Sequence, residues 1–538
     1  MRKSTPLPMR LKRAGKNMPK KAPTAAVIDI GSNELRLHIA QAPKQPTEKD
    51  SEKIEYLESL VYPLSLGRET FFEGKMSFDK VDQACDVIKN FLHVSRDYGV
   101  RNVYTVAGTA MREAENMDFI LDQIKIKTGI DVQVIDDLEE KRHIYKLLTH
   151  HAEDFLKKSA VIVYIGTGSM GVSLFIDGKM ARTWNIRVGS LRMGELFGDL
   201  QEFTREFYRL MEEYLAGITY KLRNELPKGI QHFIVSGPEI ELIAKLVISK
   251  GTPPFGVPLF DIPRKDFDEF YEKIKRKTTD KIASDYALDG DIAESLLPAA
   301  CIYQNLLNCT SAKAITASRM LPCDAVLFEM LYPKRFAAIE KRFDKGTVLS
   351  AREIALKYHA NIPHIEQVRD FALMIYDKIK KLHGLGGRDK LLLTAAALLH
   401  DIGEYINTLD HHEISYEMVR RSDIVGLTHG EIEIVALLCR YHSGEAVPDL
   451  KEPCYANLNA STRVRVSKLA AMLRLADSLD LGRAQKCHNI DVKLSDGMLN
   501  ITINTSANMA LEQWAFADKG QFFAEVFGIK AMLKIKKL

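Results

Sequence analysis

The chain has 538 residues and a formal net charge of +4, and 46% of its residues are hydrophobic. A single hydrophobic core rarely grows beyond about 300 residues, so this length predicts at least two domains, and the apolar fraction excludes a wholly disordered chain. The seven cysteines include no C-x-x-C pair and the longest apolar run, Leu391–Leu399, is short, which excludes a disulfide scaffold, a zinc ribbon and a membrane-spanning helix.

The positive charge is concentrated at the N-terminus. Residues 1–22 hold eight Lys and Arg residues and no acidic residue, which predicts a disordered basic tail. The remainder of the chain has more acidic than basic residues, so we do not expect nucleic acid as a partner. The N-terminus lacks the apolar segment of a secretory signal, and we expect a cytoplasmic protein that makes no membrane contact.

Two similar series of elements follow, each built on a buried strand that runs into a glycine turn. The first series, predicted to form a lobe over residues 23–155, contains strands Ala25–Ile30, Leu35–Ala40, Val103–Ala107 and Val132–Ile135 and helices near Phe78–Tyr98 and Leu138–Leu148. The second series, over residues 156–318, contains strands Ala160–Ile165, Val172–Ile176 and Phe233–Val235 and helix Glu239–Leu246, after which helices dominate. The repetition predicts two lobes of one α/β fold.

The C-terminal part of the chain has a different pattern. After a linker over residues 319–350, the apolar periodicity predicts an all-α domain over residues 351–487. A hairpin over Ile490–Asn504 and a helix over Ala510–Phe527 predict a small α/β module over residues 488–538.

The two glycine turns are suited to binding phosphate. Gly31 and Gly166 each follow a buried strand, and Ser32 and Ser169 add hydroxyl groups nearby. Glycine lets backbone N–H groups approach an anion, and Asp29, at the end of the first strand, can hold a hydrated Mg²⁺ ion. Two such turns at matching places of a repeat favour a phosphate site over two ordinary hairpin turns.

Six segments, in order, resemble the exopolyphosphatase/guanosine pentaphosphate phosphohydrolase (Ppx/GppA) family: VIDIGSN (27–33), VAGTAMREAEN (106–116), VIDDLEEKRHIY (134–145), YIGTGS (164–169), NIRVGSLRMGELF (185–197) and VSGPE (235–239). The resemblance implies a two-lobed sugar kinase/actin-like (ribonuclease H-like) fold. It also implies hydrolysis of terminal phosphoanhydride bonds of inorganic polyphosphate or pppGpp between the lobes, a divalent metal (Mg²⁺ or Mn²⁺) and a homodimer.

The resemblance also assigns roles to individual residues. Glu140 falls at the position of the proposed catalytic base, Glu139 is the alternative one residue away, and Asp29 acts with them. Arg112 would clamp a phosphate, a task that suits the planar fork of its guanidinium group. The other implied substrate-binding residues lie at the turns and beside Arg112: Gly31, Ser32, Asn33, Thr109, Gly166, Gly168 and Ser169.

The second turn departs from the family's D-x-G-G-G-S-x-E pattern. Tyr164 stands where an aspartate is expected, and Gly171 stands where a glutamate is expected. In the family these two carboxylates are expected to hold the metal and the water. Their loss leaves the metal with fewer hard oxygen ligands and predicts weaker hydrolysis at this site.

Histidines and aspartates of the helical region occur in the order H…HD…H…H…D, which resembles the HD-domain metal phosphohydrolases. Long members of the Ppx/GppA family carry a domain of this kind. The set consists of His364, His400, Asp401, His411, His442 and Asp477, with His412 as an alternative to His411. Imidazoles combined with carboxylates suit Mn²⁺, Fe²⁺, Co²⁺, Ni²⁺ or Zn²⁺, and Asp401 would bridge two ions.

Three functional interpretations follow from these patterns. The first is a Ppx/GppA-type phosphohydrolase that acts between the lobes. The second is an HD-type metal hydrolase that the actin-like lobes regulate by closing on a phosphate-rich ligand. The third is a protein that binds such a ligand without catalysis.

Overall fold

The computed structural model describes residues 23–43, 54–166, 168–197, 207–248, 258–444, 446–487, 490–495 and 497–536. The predicted basic tail (residues 1–22) and Thr167 of the second turn lie outside these ranges. Among the described helices, each is too short or too polar to cross a lipid bilayer.

The first lobe is a mixed sheet with helices packed against it. Strand β1 is central in this sheet, because β2 pairs with it antiparallel on one side and β4 pairs with it parallel on the other, in the order β3-β2-β1-β4-β5. The elements are β1 (Thr24–Ile30), β2 (Glu34–Gln41), β3 (Glu55–Pro63), α1 (Leu66–Glu73), α2 (Phe78–Asp97), β4 (Val103–Ala107), α3 (Thr109–Glu113), α4 (Met117–Thr128) and β5 (Gln133–Val134).

The second lobe repeats this topology, which confirms the predicted internal repeat. Strand β6 pairs antiparallel with β7 and parallel with β9, as β1 does with β2 and β4, and the sheet order is β10-β11-β9-β6-β7-β8. Two helices, α5 (Asp137–His151) and α6 (Glu153–Leu156), connect the first lobe to the second. The elements of the second lobe are β6 (Ala160–Ile165), β7 (Met170–Ile176), β8 (Lys179–Ile186), α7 (Ser190–Phe197), α8 (Phe207–Ile218), α9 (Tyr220–Glu225), β9 (His232–Ser236), α10 (Ile240–Val247), β10 (Leu259–Pro263), α11 (Arg264–Ile274), α12 (Thr279–Tyr286), α13 (Gly290–Leu307) and β11 (Ala314–Ser318).

Residues 319–350, predicted as a linker, are largely helical. They form α14 (Pro322–Leu331) and most of α15 (Pro333–Lys357). Helix α14 is apolar on nearly every side because it fills the space between β1 of the first lobe and α5. Its buried Asp324 accepts hydrogen bonds from His38 Nδ1 (2.9 Å) and the Tyr56 hydroxyl (2.8 Å) of the first lobe. The chain therefore returns to the first lobe before it enters the helical domain.

The helical domain is built around four helices that pack on one another, α16, α18, α20 and α22. The elements are α16 (Ile362–Lys378), α17 (Lys380–His383), α18 (Gly387–Leu399), a 3-10 helix (Ile402–Tyr405), α19 (His411–Arg420), α20 (His429–Tyr441), α21 (Pro453–Ala456) and α22 (Ala460–Ser478). Helix α18 is buried around its whole circumference, which explains why its sequence reads as one apolar run.

The C-terminal residues form the predicted hairpin and helix, followed by a strand that the sequence analysis did not anticipate. The elements are β12 (Ile490–Ser495), β13 (Met498–Asn504), α23 (Ala510–Phe527) and β14 (Lys530–Lys536), and β14 pairs parallel with β13. These elements share one hydrophobic core with the helical domain, because α23 packs on α22 and β12 packs on α16. The predicted division at residue 488 therefore does not separate two cores.

Candidate active site and metal centre

A cavity of about 100 Å³ lies where the carboxyl ends of β1, β4 and β6 meet. In open α/β sheets this end of the strands is the usual place for a ligand. Seven predicted residues line it: Asp29, Gly31, Ser32, Asn33, Thr109, Glu140 and Gly166. The cavity is therefore formed by both lobes and by the helix that joins them.

Two turns of the same construction flank this cavity. In the first glycine turn (residues 31–34), the Gly31 N–H donates to the Glu34 carbonyl at 3.0 Å. In the second glycine turn (residues 166–169), the Gly166 N–H donates to the Ser169 carbonyl at 2.9 Å. A Cβ atom at Gly168 would lie 2.9 Å from Cγ2 of Thr109, so glycine is needed for this turn to approach the first lobe so closely.

Helix α5 places one of the two candidate bases in the cavity. Asp136 caps this helix by accepting a hydrogen bond from the Glu139 N–H at 2.7 Å, which puts both glutamates in the first turn. Glu140 lines the cavity, and the Tyr164 hydroxyl donates a hydrogen bond to its Oε1 atom. Glu139 instead extends towards Arg142, 3.7 Å away. Of the two candidate bases, Glu140 is thus the one that lines the cavity, and Glu139 points away from it.

Burial changes the acidity of both carboxyl groups at the cavity. It raises the pKa of Asp29 to about 6, and the Arg36 charge lowers this pKa while the Glu140 charge raises it further. Burial also raises the pKa of Glu140, against the hydrogen bond from Tyr164 and the charge of Arg112, which lower it. Glu140 is therefore a stronger base than an exposed glutamate, as removal of a proton from water requires.

The other predicted binding residues lie beside the cavity. Arg112 donates from Nη1 to the Ile135 carbonyl at 2.7 Å and from Nη2 to the Thr109 hydroxyl at 3.3 Å, so these bonds fix its guanidinium group. Gly168 and Ser169 belong to the second glycine turn. Glu34 and Arg36 were not predicted as site residues, but both line the cavity and pair with each other.

A buried lysine occupies the space that Gly171 leaves open. A Cβ atom at Gly171 would overlap the Tyr145 hydroxyl and would lie 2.8 Å from Cδ of Lys141. The Lys141 side chain is only 4% exposed, and its ammonium group donates to the Ser169 hydroxyl at 2.8 Å. The aliphatic part of the Lys141 side chain therefore fills the space beside Gly171, and its ammonium group reaches the second glycine turn.

The four predicted histidines of the helical domain converge. Each donates its Nδ1 proton outwards: His400 to the Ala397 carbonyl (2.9 Å), His411 to the Thr408 carbonyl (2.9 Å), His442 to the Cys439 carbonyl and His364 to Asp480 Oδ2 (2.9 Å). Their Nε2 atoms face inwards in two pairs, His364 with His400 at 3.3 Å and His411 with His442 at 3.2 Å. Such outward hydrogen bonds fix the tautomer in which Nε2 can bind a metal.

Asp401 lies between the two histidine pairs. Its Oδ1 atom is 3.3 Å from His400 Nε2 and 3.4 Å from His442 Nε2, and its Oδ2 atom is 3.5 Å from His364 Nε2. Asp477 Oδ1 is 3.4 Å from His364 Nε2. Two groups with metal-ligand geometry result, one of His364, His400 and Asp401 and one of Asp401, His411 and His442.

The donor set fits divalent ions. Unprotonated imidazole nitrogens and carboxylates that point at one another suit a borderline metal. Burial alone would lower the pKa of His364, but the Asp477 and Asp480 carboxylates raise it to about 9, so the cluster strongly favours a positive charge at its centre. His412, the predicted alternative to His411, lies outside both groups, and its Nε2 atom is 4.0 Å from Glu413.

Three residues around this cluster were missed by the sequence analysis. Asp480 orients His364, Lys519 of α23 contacts Asp477, and Arg483 Nη2 lies 2.8 Å from Asp401 Oδ2. Lys519 and Arg483 place positive charge next to both aspartates, as a site that receives an anion would need.

Two family models match this chain, one over each part of it. The model of the Ppx/GppA phosphatase family matches residues 47–332, and the model of Ppx/GppA phosphatase domain III matches residues 348–518. A guanosine-5'-triphosphate,3'-diphosphate pyrophosphatase of Photobacterium profundum is 20% identical over 461 residues, which cover 84% of this chain and 87% of that protein.

Two further relatives are similar over shorter stretches. Exopolyphosphatase 1 of Mycobacterium tuberculosis is 25% identical over 169 residues, which cover 31% of this chain and 46% of that protein. The crystal structure of the Aquifex aeolicus Ppx/GppA family member matches with a TM-score of 0.48 and 20% identity, over 58% of this chain and 98% of that chain. The family model spans more than half of the sequence and covers Glu140 and the second glycine turn, and the chain therefore belongs to the Ppx/GppA phosphatase family.

Proposed function

We propose that this protein hydrolyses the terminal phosphoanhydride bond of inorganic polyphosphate or pppGpp in the cavity between its two lobes. The observation that carries the proposal is the position of Glu140, whose carboxyl group enters the cavity between the two glycine turns. The substrate classes follow from the names of the relatives, a pyrophosphatase of guanosine-5'-triphosphate,3'-diphosphate and an exopolyphosphatase.

In the proposed reaction, the glycine turns hold the terminal phosphate with backbone N–H and hydroxyl groups. Glu140 accepts a proton from a water molecule, the water oxygen bonds to the terminal phosphorus, and the bond from phosphorus to the bridging oxygen breaks. The bridging oxygen leaves with the shortened chain. Asp29 would hold a divalent ion such as Mg²⁺ or Mn²⁺, which neutralises phosphate charge when bound.

The direct test is phosphate release by the full chain from polyphosphate and from pppGpp, each with Mg²⁺ or Mn²⁺. We expect release from at least one of the two substrates, and release must stop when the metal is chelated. A chain that releases no phosphate from either substrate, although it binds them, would support the non-catalytic interpretation instead.

Replacing Tyr164 with Phe tests how the base is held. The Tyr164 hydroxyl stabilises the ionised form of Glu140, so its loss raises the pKa of Glu140 and removes the active base at low pH. We expect the acid limb of the pH–rate profile to move up by about one pH unit, the effect of losing one hydrogen bond to a charged group. Tyr145→Phe serves as the control, because it removes another buried hydroxyl, from the residue of α5 that lies about one turn after Glu140. If the acid limb of Tyr164→Phe does not move, the Tyr164 hydroxyl does not stabilise the ionised form of Glu140.

A second candidate function is a metal-dependent phosphohydrolase of the HD type in the helical domain. The observation that favours it is the shared aspartate, because Asp401 lies within reach of both histidine pairs. Mn²⁺, Fe²⁺, Co²⁺, Ni²⁺ or Zn²⁺ would be held there by His364, His400, Asp401, His411, His442 and Asp477. The bound ions would supply a metal hydroxide and a Lewis acid, and the two lobes would regulate this site through closure.

A further inference from the structure

The helical domain contacts the helix that carries Glu140. His429, the first residue of α20, donates its backbone N–H to Asp136 Oδ2 at 3.1 Å, and its Nε2 atom lies 2.9 Å from Asp137 Oδ1. Both aspartates lie at the N-terminal end of α5. The two domains thus meet within one helical turn of the candidate base.

A continuous series of polar contacts leads from this interface to the second glycine turn. The other oxygen of Asp137, Oδ2, accepts a hydrogen bond from Asn185 at 3.0 Å and lies 3.3 Å from the Lys141 ammonium group. That ammonium group also donates to the Asn185 side-chain carbonyl and to the Ser169 hydroxyl, the latter at 2.8 Å. Each group in the series His429–Asp137–Lys141–Ser169 is bonded to the next.

The charges in this series depend on one another. Burial lowers the pKa of Lys141, and the Asp137 and Glu140 charges oppose that effect. Burial alone would raise the pKa of Asp137, but the hydrogen bond from His429 and the Lys141 charge lower it below its usual value. An ammonium group so deeply buried needs its anionic partner in place, because an unpaired buried charge is strongly unfavourable. Asp137 can satisfy Lys141 only while its carboxylate is oriented towards Nζ.

We propose that Lys141 is a positioning residue for the second glycine turn, and that docking of His429 onto Asp137 sets its position. The docked histidine fixes one carboxylate oxygen, the other oxygen holds the ammonium group, and the ammonium group holds Ser169 against the cavity. This device rests on the proposed function, since the turn it orders is the one that receives phosphate. It makes phosphate binding between the lobes depend on the placement of the helical domain.

The test measures hydrogen exchange of the full chain at the Gly166 amide, whose N–H closes the second turn, and at the Gly31 amide of the first turn. His429→Ala and Lys141→Met are expected to accelerate exchange at Gly166 by about tenfold and to leave Gly31 unchanged. His429→Gln, whose amide can still donate to Asp137, should restore most of the protection. Unchanged exchange at Gly166 in His429→Ala would overturn the proposal, even if Lys141→Met fails to fold.

Two control variants accompany these substitutions, one for the lysine and one for the histidine. Lys146 is also a buried lysine of α5, but it pairs with Glu340 of α15 at 2.7 Å, so Lys146→Met should not affect Gly166. His93→Ala removes an exposed histidine from a helix of the first lobe. Steady-state kinetics add a second readout: His429→Ala should raise KM about tenfold with kcat nearly constant, because the turn holds phosphate equally in the ground and transition states.

The exchange experiment also separates this proposal from the proposed function. If the wild-type chain releases no phosphate but exchange at Gly166 still responds to His429→Ala, the coupling stands and the activity does not. If phosphate is released but exchange and KM are both unaffected by His429→Ala, the activity stands and the coupling is wrong.

Discussion

Glu140→Gln is expected to lower the rate of phosphate release by about 10²–10⁴-fold, the usual contribution of a general base. Glutamine keeps the shape of the side chain and can still pair with the Tyr164 hydroxyl, but it cannot accept a proton from water. Binding of polyphosphate or pppGpp should change little, because the glycine turns remain. The measurement is kcat for phosphate release together with substrate affinity by calorimetry.

Glu139→Gln is the matched control for this experiment. It removes the same charge from the same turn of α5, yet its side chain extends towards Arg142 and not into the cavity. We expect kcat within about threefold of wild type, as for a substitution that touches no reacting group. If Glu139→Gln loses as much activity as Glu140→Gln, the effect belongs to the charge of the helix terminus and not to a base in the cavity.

The second large effect is expected at the proposed metal site of the helical domain. Because Asp401 lies between both histidine pairs, Asp401→Asn should lose the ions of both groups. His411→Gln should lose only the ion shared with His442 and should keep the ion at His364 and His400. Affinity at an affected site should fall by more than about 100-fold, since removal of even an outer partner costs 10–100-fold. Metal analysis of the purified chains gives the stoichiometry.

His412 provides the control for the metal experiment. His412→Gln changes the neighbouring residue of the same helix, and His412 lies outside both candidate groups, so the metal content should equal that of wild type. Equal metal loss in His411→Gln and His412→Gln would mean that the helix start, and not one imidazole, governs binding. Full metal content in Asp401→Asn would rule out the bridging role.

Much of the site could be predicted because its residues are close in sequence to recognisable elements. Asp29 lies near the end of an apolar strand, the first glycine turn follows that strand, and a second apolar strand precedes Gly166. The order of histidines and aspartates predicted six residues, five of which form the two candidate groups, while Asp477 lies beside His364. These patterns can be recognised in the sequence because strands, turns and helix ends each require particular residue types at neighbouring positions.

The role of Lys141 could not be predicted in the same way. A lysine in the polar first half of a helix is usually exposed, and nothing local indicates that this one is buried. Its burial depends on Gly171, which lies on a strand of the second lobe and leaves space for the lysine side chain. Such a pairing between distant positions is visible only once both elements are placed.

The packing between the predicted domains also could not be predicted from the sequence. Helix α14 follows the second lobe in sequence but packs on β1 of the first lobe, because its apolar surface fills the space between β1 and α5. Likewise, a hairpin and half of α23 separate Lys519 from Asp477 in sequence, yet α23 folds back onto α22 and brings the two side chains together. Long-range packing of this kind decides which residues complete a site. The apolar periodicity of a single helix or strand does not indicate which distant element will pack against it.

The most direct test of the central claim is phosphate release by a Glu140→Gln chain whose metal content has been measured in the same preparation. We expect this chain to keep the metal content of the wild type and to release almost no phosphate from polyphosphate or pppGpp. Undiminished phosphate release at unchanged metal content would mean that Glu140 is not the base, and would contradict the reaction proposed for the cavity between the two lobes.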